Sequence, residues 1–511
     1  MATAAPPTDG HTDETPPWRW QGPLLGLGVV ALVGGIVLRL FAPSPMWLDE
    51  ALSVEIASRD FSAMVDALRQ DGHPALYYLL LGWWTDLLGD SDWAARSLSA
   101  VASLGTAVTL WRIGRRRSVD IGVAAGLVGL SAPYLLRYGT EARMYALVTL
   151  FVALAWLTVE RALDEPRVGR LVAVALATAA LVHTHYWTFW LIGAALLLLG
   201  LRWLREPPDR PTTTRIILAI GAGGATFVVW LGVFLDQLGS TGTPWADRAR
   251  PAEIAVETMQ AIGGNNRFEG ELLGVVLAIL AILGAIGVRR ADVVELRFRR
   301  GPLTAAALMT VVTLGIGGGV ALLTAGAFEG RYAAVAVPFI LLLAARGLIV
   351  LPSPVGPVLL AGVVLFGLAI GVDEGRRDRT QAGDVAAAIV AGNEGRIGDL
   401  VVFCPDQLGP ATHRSLEATI ESIAYPRGDG RLVDWRDYAD VIEATDPATF
   451  VADNLAGRQT IWLVAGFGYK SLGTRCEALI DALEQTHRPN HLIAPSEAFE
   501  RMLLTRYELI G

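Results

Sequence analysis

Eleven apolar runs, each close to the roughly 20 residues that a helix needs to cross a bilayer's hydrocarbon core, divide the first 372 residues of this chain. They cover residues 22–41, 93–113, 119–137, 144–160, 168–186, 188–204, 214–235, 271–288, 303–325, 332–350 and 354–372. A lipid interior offers backbone N–H and C=O groups no partner but each other, so runs of this length predict helices and the chain reads as an α-helical polytopic membrane protein. The composition agrees: 53% of the 511 residues are hydrophobic and only 18% are charged. Residues 1–20 carry Asp9, Asp13 and Glu14 where a secretory signal has a basic start. They are expected to form a disordered cytoplasmic tail, leaving residues 21–372 as the transmembrane domain.

Outside those runs the balance is acidic, with a net charge of −8 and Lys470 as the only lysine, which argues against nucleic-acid binding. Arginines orient the bundle, because basic residues stay on the cytoplasmic side of short loops. They gather at Arg112 and Arg115–Arg117, at Arg161, Arg167 and Arg170, at Arg202, Arg205, Arg210 and Arg215, and at Arg289, Arg290, Arg297, Arg299 and Arg300. Every second loop is therefore cytoplasmic, and the loops at 138–143, 186–187, 237–270 and 326–331 face outward, as does everything after residue 372. Residues 74–90 are apolar enough to cross or to lie along the interface. The cluster Tyr77, Tyr78, Trp83 and Trp84 suits a helix at headgroup level. If the segment crossed instead, the arginine rule would still hold and Asp49 would be cytoplasmic.

The polar residues collect in the outward segments. Trp47-Leu48-Asp49-Glu50 sets a carboxylate pair at the edge of lipid, where ionisable groups are costly and mark a site unless they begin a solvated loop. Tyr138-Gly139-Thr140-Glu141-Ala142-Arg143-Met144-Tyr145 places Glu141 and Tyr145 four apart, on one face if the segment is helical, with Arg143 on another. The structural alternative is a capping cluster with Arg143 snorkelling to headgroups and Tyr138 and Tyr145 as interface anchors. His183 and His185 close the fifth run beside Tyr186 and Trp187. With His73 and a carboxylate they raise the possibility of a divalent metal, although the two-residue spacing is not that of a helical ligand pair. Arg331, before Tyr332, has the planar fork that suits bidentate phosphate binding; a surface pair with Glu329 is the alternative.

Read in order, WLDEALSVEIASRDF, DGHPALYYLLLGWW, SAPYLLRYGTEARMYAL, HTHYWTFW and EGRYAAVAVPFILLLAA resemble the GT-C superfamily of integral-membrane glycosyltransferases over roughly residues 20 to 350. The likeness is to the branch related to protein O-mannosyltransferases and the lipid A aminoarabinose transferase. It implies an external first loop, residues 42–92, that opens on the acidic pair and holds juxtamembrane helices, one of them at 74–90. It also implies a sugar donor carried on a polyprenyl phosphate, a glycan, glycolipid or protein acceptor, and a site on the outer face of the plasma membrane. Such a reaction needs a base for the acceptor hydroxyl and cationic or hydrogen-bonding groups for the departing phosphate. No cofactor has to carry it, and a divalent metal stays open, since the superfamily has members of both kinds. The resemblance makes Asp49 the general base. It leaves Glu50 to orient the acceptor or hold an arginine, Glu141 and Arg143 to line the donor site, and Arg331 to meet the donor phosphate. His73, Tyr77, His183, His185 and Tyr332 complete the expected substrate-binding set. Mannose, arabinose or another pentose fits the same residues, so hexosyl and pentosyl transfer are both open.

From residue 373 the apolar runs shorten. Asp399–Cys404 and Ile461–Ala465 read as buried strands and 380–392 and 474–487 as amphipathic helices, which predicts a small soluble α/β domain over residues 373–511 outside the membrane. Cys404 and Cys476 fit no metal spacing; a disulfide and two buried thiols are both open. A lipid-linked glycan flippase or small-molecule carrier is the competing class. Carriers concentrate polar features near the bilayer midplane within paired repeats, whereas here they gather at one face.

Overall fold

The computed structural model describes residues 21–510, apart from 243–249, 265–266, 291–292, 299–300, 302, 325, 394–398 and 417–419. The expected N-terminal tail, residues 1–20, lies outside the described residues. Helix α1 (Gln21–Leu40) leads to three short helices, α2 (Leu48–Ala57), α3 (Phe61–Asp71) and α4 (Leu76–Leu88). The chain then runs through α5 (Asp92–Arg115), α6 (Val119–Ser131), α7 (Pro133–Gly139), α8 (Tyr145–Asp164), α9 (Val168–Val182) and α10 (Thr188–Arg205). Helix α11 (Arg210–Ala225) continues by a 3-10 stretch into α12 (Leu231–Ser240). After α13 (Pro251–Gly263) and α14 (Phe268–Ile286), a hairpin of β1 (Gly287–Arg290) and β2 (Val293–Leu296) precedes α15 (Thr304–Thr324), α16 (Val337–Val350) and α17 (Val355–Arg376).

All eleven apolar runs are helical. Six helical stretches among the described residues are long and apolar enough to cross a membrane by themselves, and α6 with α7 makes a seventh, bent by 49°. Helices α9 and α16 and the described apolar part of α1 are shorter. Helix α5 is less apolar because Arg96, Ser97, Ser99, Ser103, Thr106 and Thr109 are turned into protein. By contrast α1 leaves Val29, Val30, Val33 and Val37 exposed, the composition of a lipid-facing surface.

Three departures from the sequence reading have local causes. The seventh run was expected to end at 235, but its helix carries on to Ser240. The run at 332–350 opens as a 3-10 turn, Gly330–Val335, and becomes α-helical at Val337, where Pro338 takes an early helical position that needs no N–H. At 138–145 the loop expected at 138–143 is present: α7 stops at Gly139 and α8 starts at Tyr145, so the helical face that Glu141 and Tyr145 would have shared does not form.

The bend between α6 and α7 follows from Pro133, whose missing N–H and ring disrupt the ladder. Its freed carbonyls are taken by a buried arginine: Arg39 donates to Leu130 O at 2.8 Å and to Gly129 O at 3.1 Å, with Nε on Ser103 Oγ at 2.7 Å. Elsewhere α14 and α16 touch backbone to backbone, since a Cβ on Gly284 or Gly347 would run into the carbonyls of Leu343 or Leu280. Helix α4 spans 13 residues, about 20 Å at 1.5 Å per residue, and is too short to cross a core of about 30 Å. It lies across the bundle end, tied by Leu76 N–H to His183 O at 3.0 Å. Tyr77 and Tyr78 are fully buried there and only Trp83 is open, so the expected headgroup cluster is half core.

The C-terminal region comprises α18 (Ala382–Asn393), β3 (Leu400–Cys404), α19 (Gly409–His413), β4 (Glu421–Ala424), α20 (Tyr438–Ala444), α21 (Pro447–Asn454), β5 (Thr460–Ala465), α22 (Arg475–Leu483), β6 (His487–Ile493) and β7 (Leu503–Leu509). Its five strands run in the order β4-β3-β5-β7-β6. The two strands expected from sequence are the central parallel pair, buried along their whole length as strands covered on both faces are. The helix expected over 474–487 ends at Leu483, and His487 opens an antiparallel edge strand. Cys404 and Cys476 are disulfide-bonded. One apolar core joins this region to the bundle, with Val385, Phe403, Leu408 and Met502 in the same cluster as Met46, Leu52 and Ile56.

Candidate active site

Helix α2 holds Asp49 and Glu50 in its first turn, where the helix dipole favours negative charge. Neighbouring residues on a helix diverge by about 100°, and the two carboxylates part accordingly. Asp49 keeps its side chain 17% exposed and turns to a polar cleft. Glu50 is fully buried.

Two guanidiniums converge on Asp49. Arg331, on the 3-10 turn before α16, donates through Nη1 to Asp49 Oδ2 at 2.8 Å. Arg143, on the turn between α7 and α8, stands with Nε 3.7 Å from the same oxygen and donates Nη1 to Ser53 Oγ at 3.0 Å. The Nε–H groups of both arginines are buried without a hydrogen-bond partner. Two cations thus share one carboxylate with donors left over, and Arg143 also lies in the field of the nearby Asp71 carboxylate. Arg331 pairs with Asp49, which removes the surface pair with Glu329 considered from sequence.

Aromatic and histidine rings wall the cleft. His185 packs against Tyr332, Tyr145 and His73, at ring-centroid distances of 5.4, 5.7 and 6.0 Å. Trp187 N–H donates to His185 Nδ1 at 3.1 Å, which places the ring proton on Nε2. His73 meets Asp71 through Nδ1 at 2.9 Å, and Tyr78 donates its hydroxyl to the same Asp71 oxygen at 2.7 Å. Burial raises the Asp71 carboxyl, but the charge and hydrogen bond of His73, with Arg143 and Tyr78, outweigh it and bring it down to about 2. Gly72, at φ +84°, ends α3 in the left-handed conformation and turns the chain from Asp71 to His73.

Behind the cleft, Glu50 forms a staple. Its Oε1 accepts from Arg96 Nε at 2.7 Å and from Ala142 N–H at 2.9 Å; its Oε2 accepts from Arg96 Nη2 at 2.7 Å and Arg379 Nη1 at 3.4 Å. Arg96 also donates to the carbonyls of Ala42 and Ser44 at 2.9 Å, and Arg379 donates to Thr140 O at 2.8 Å and Oγ1 at 2.7 Å. Burial pushes the Glu50 carboxyl up, while the charge and bonds of Arg96, then Arg379 and the Ala142 amide, hold it below the usual carboxylate range. Glu141, beside this staple, is also buried; burial raises its carboxyl above the ordinary value, opposed by Arg137 and Arg379.

Asp49, Arg143, Arg331, Tyr332, His185 and His73 thus come together, and Glu50, Tyr77 and Glu141 lie inside the protein around them. His183 is turned away, with Nε2 3.2 Å from Thr226 Oγ1 and its ring against Phe227. Among the described residues no group of three His, Cys, Asp or Glu side chains is arranged to hold a metal ion. Tyr138 and Tyr145 are buried, 5.2 Å apart, and are not interface anchors. The sequence reading did not assign roles to Arg96, Arg379, Asp71 and Ser53. Arg96 carried a usable signal, a lone arginine in the first turn of an apolar run; Ser53 carried none.

Residues 72–230 match a family model described as dolichyl-phosphate-mannose-protein mannosyltransferase. No curated protein matches the chain by sequence. The fold is similar to the crystal structure of ArnT from Cupriavidus metallidurans bound to undecaprenyl phosphate, with a TM-score of 0.59 and 14% identity over 95% of this chain and 98% of that one. It is also similar to the apo state of the same protein, with a TM-score of 0.56 at the same identity and coverage. Residues 72–230 thus resemble the protein mannosyltransferase family, and the chain as a whole has the fold of ArnT.

Proposed function

We propose that the chain transfers a sugar from a polyprenyl-phosphate donor to an acceptor hydroxyl on the outer face of the membrane, with Asp49 as general base. The observation that carries this reading is the Asp49–Arg331–Arg143 arrangement: one carboxylate held by two arginines that keep buried donors in reserve. A donor phosphate entering the cleft draws on those donors and competes with Asp49 for Arg331. The carboxylate that loses its cation is then free to accept a proton. The acceptor oxygen bonds to the anomeric carbon, the bond from that carbon to the phosphate oxygen breaks, the hydroxyl proton passes to Asp49, and the arginines stabilise the charge on the departing polyprenyl phosphate. Arginine rather than lysine suits the task because its fork meets two phosphate oxygens at once.

Two features support an outward-facing site. The arginine-rich loops lie at the opposite end of the bundle from Asp49, as the positive-inside rule requires of the cytoplasmic side. The C-terminal region, at the same end as Asp49, carries the Cys404–Cys476 disulfide, a bond that persists in oxidising compartments. Polyprenyl-phosphate binding is supported by the fold, since ArnT of the same fold holds undecaprenyl phosphate in its crystal structure.

The test is transfer by the purified protein in nanodiscs from a panel of radiolabelled polyprenyl-phosphate sugars, comparing wild type with Asp49→Ala. Transfer that disappears in the variant is the expected result and also names the sugar. A wild type inactive with every donor that moves lipid-linked glycan across vesicles would replace this reading with that of a flippase.

A further inference from the structure

The C-terminal region reaches the candidate site through a short two-stranded strap. Phe499 N–H donates to Asp378 O at 3.4 Å, Glu500 N–H to Arg379 O at 2.9 Å, and Gln381 N–H to Glu500 O at 3.3 Å. Gln381 Oε1 fastens the strap by accepting from Ser496 N–H at 2.9 Å and Met502 N–H at 2.8 Å. The strap lies on the segment that leads into α2. The Phe499 ring meets Trp47 edge to face at 5.2 Å, and Arg379 N–H donates to Ser44 Oγ at 2.8 Å.

This packing sets Glu500 against the start of α2. Glu500 is 4% exposed, its carboxyl faces the Leu48 amide and the Thr380 hydroxyl within the field of Asp49, and its Oε2 is buried without a hydrogen-bond partner. Leu48 is the first residue of α2, so its N–H has no acceptor inside the helix. Trp47, in the N-cap position, offers no side-chain acceptor. The carboxyl beside that N–H, at the helix end where an N-cap oxygen acts, comes from a residue more than 400 positions later.

Building on the reading of Asp49 as the base of a sugar transfer, we propose that Glu500 is its positioning residue: a carboxyl supplied by the C-terminal region that steadies the first turn of α2 and aims Asp49 at the cleft. The C-terminal region is then part of the catalytic unit and not an appendage. The protonation state of Glu500 matters as well. The groups that face it are Asp49 on α2, Thr380 on the strap and Tyr469 after β5, while the Arg379 guanidinium is turned to Glu50 and Thr140. Burial pushes the Glu500 carboxyl up to about 8 despite Thr380 and Leu48, and Asp49 adds to the rise. The neutral form is tolerated beside Asp49. The ionised form sets a second negative charge there, which competes for the arginines and repels a phosphate.

The experiment uses the full chain in nanodiscs. Sugar transfer from the polyprenyl-phosphate donor is measured between about pH 6 and pH 10 for wild type, Glu500→Gln, Glu500→Ala and, as a control, Glu508→Gln on the exposed face of β7. Hydrogen exchange is followed at residues 48–50 in parallel. The expected wild-type kcat falls above about pH 8, and Glu500→Gln, which keeps an acceptor oxygen but cannot ionise, loses that decline. Glu500→Ala lowers kcat by about tenfold with little change in donor KM and speeds exchange at residues 48–50, whereas Glu508→Gln follows wild type. If wild type turns over and both Glu500 variants keep its kcat, pH profile and exchange rates, the positioning role is wrong and the transferase reading survives. If wild type transfers no sugar from any donor, the transferase reading falls and this role falls with it.

Discussion

Arg331 reaches back 282 positions to donate a 2.8 Å hydrogen bond to Asp49 Oδ2. That contact joins the turn before α16 to the first turn of α2, and it makes the proposed base and the proposed phosphate ligand a single ion pair. The pair is partly exposed, with side-chain accessibilities of 20% and 17%, so it opens to a ligand without unfolding anything. On the proposed function, an anionic donor competes for Arg331 and releases the carboxylate.

Asp49→Asn keeps the shape of the side chain and removes its basicity. Turnover is expected to drop by about 10² to 10⁴, while undecaprenyl phosphate still binds. Steady-state transfer and a lipid-binding assay on the same preparation check both halves. A variant that turns over like wild type would remove Asp49 from the chemistry.

Arg331→Lys retains the charge and loses the planar fork. Donor KM is expected to rise and kcat to fall, each by about tenfold, because the phosphate is met in both the ground state and the transition state. Wild-type kinetics in this variant would show that Arg331 serves only to hold Asp49.

Glu50 is a stability residue on this geometry. Glu50→Ala strands Arg96 and Arg379 in the interior, and loss of one partner of a buried ion pair costs about 3–5 kcal/mol. Poor recovery of folded protein and a lowered Tm are expected for Glu50→Ala, and Arg96→Met combined with Glu50→Leu is expected to recover part of the loss. A normal melting curve for Glu50→Ala would contradict the staple.

The C-terminal region has its own pH dependence. Asp406 is fully buried; burial raises its carboxyl to about 7 despite a 2.5 Å hydrogen bond from Tyr438, and Oδ2 has no hydrogen-bond partner. The folded state keeps this proton through a range where the unfolded chain, titrating near the ordinary 3.8, has lost it. Stability therefore falls as pH rises from about 4 to about 7, by at most about 4 kcal/mol from this group. Asp406→Asn is expected to flatten that slope in melts recorded from pH 4 to pH 8, and an unchanged slope would exclude the effect.

Reduction tests the same region. The Cys404–Cys476 bond closes a loop of 72 residues, and chain entropy assigns such a crosslink about 4 kcal/mol. Cys476→Ser is expected to lower the melting temperature of the C-terminal region while leaving the helical signal of the bundle in place. An equal melt with and without reductant would show that the sheet core holds without the bond.

The helices were legible because membrane spans must satisfy their own hydrogen bonds, so hydrophobic length alone marks them, and all eleven runs are helical. The two central strands were legible as short wholly apolar segments; the antiparallel strands were not, β6 at the edge and β7 between it and β5, since their side chains are mixed. The bend between α6 and α7 within the run 119–137 was not legible, because it depends on Pro133 and on Arg39 taking the freed carbonyls of Gly129 and Leu130 from a distant helix.

The site divides along the same line. Asp49, Arg143, Arg331 and His185 could be named from sequence, Asp49 because charge beside a membrane span is costly enough to mark itself and the others with the help of the family resemblance. Which of them touch was decided only in three dimensions. Glu50 and Asp49 are adjacent in the chain, yet one faces a buried staple and the other the cleft, because a helix turns successive residues to different surroundings. Glu500 carried no signal of any kind in a soluble segment rich in acids. Its burial against α2 exists only because the strap at 378–381 pairs with 499–502, and pairing between distant segments is a property of the packed chain, to which local composition is blind.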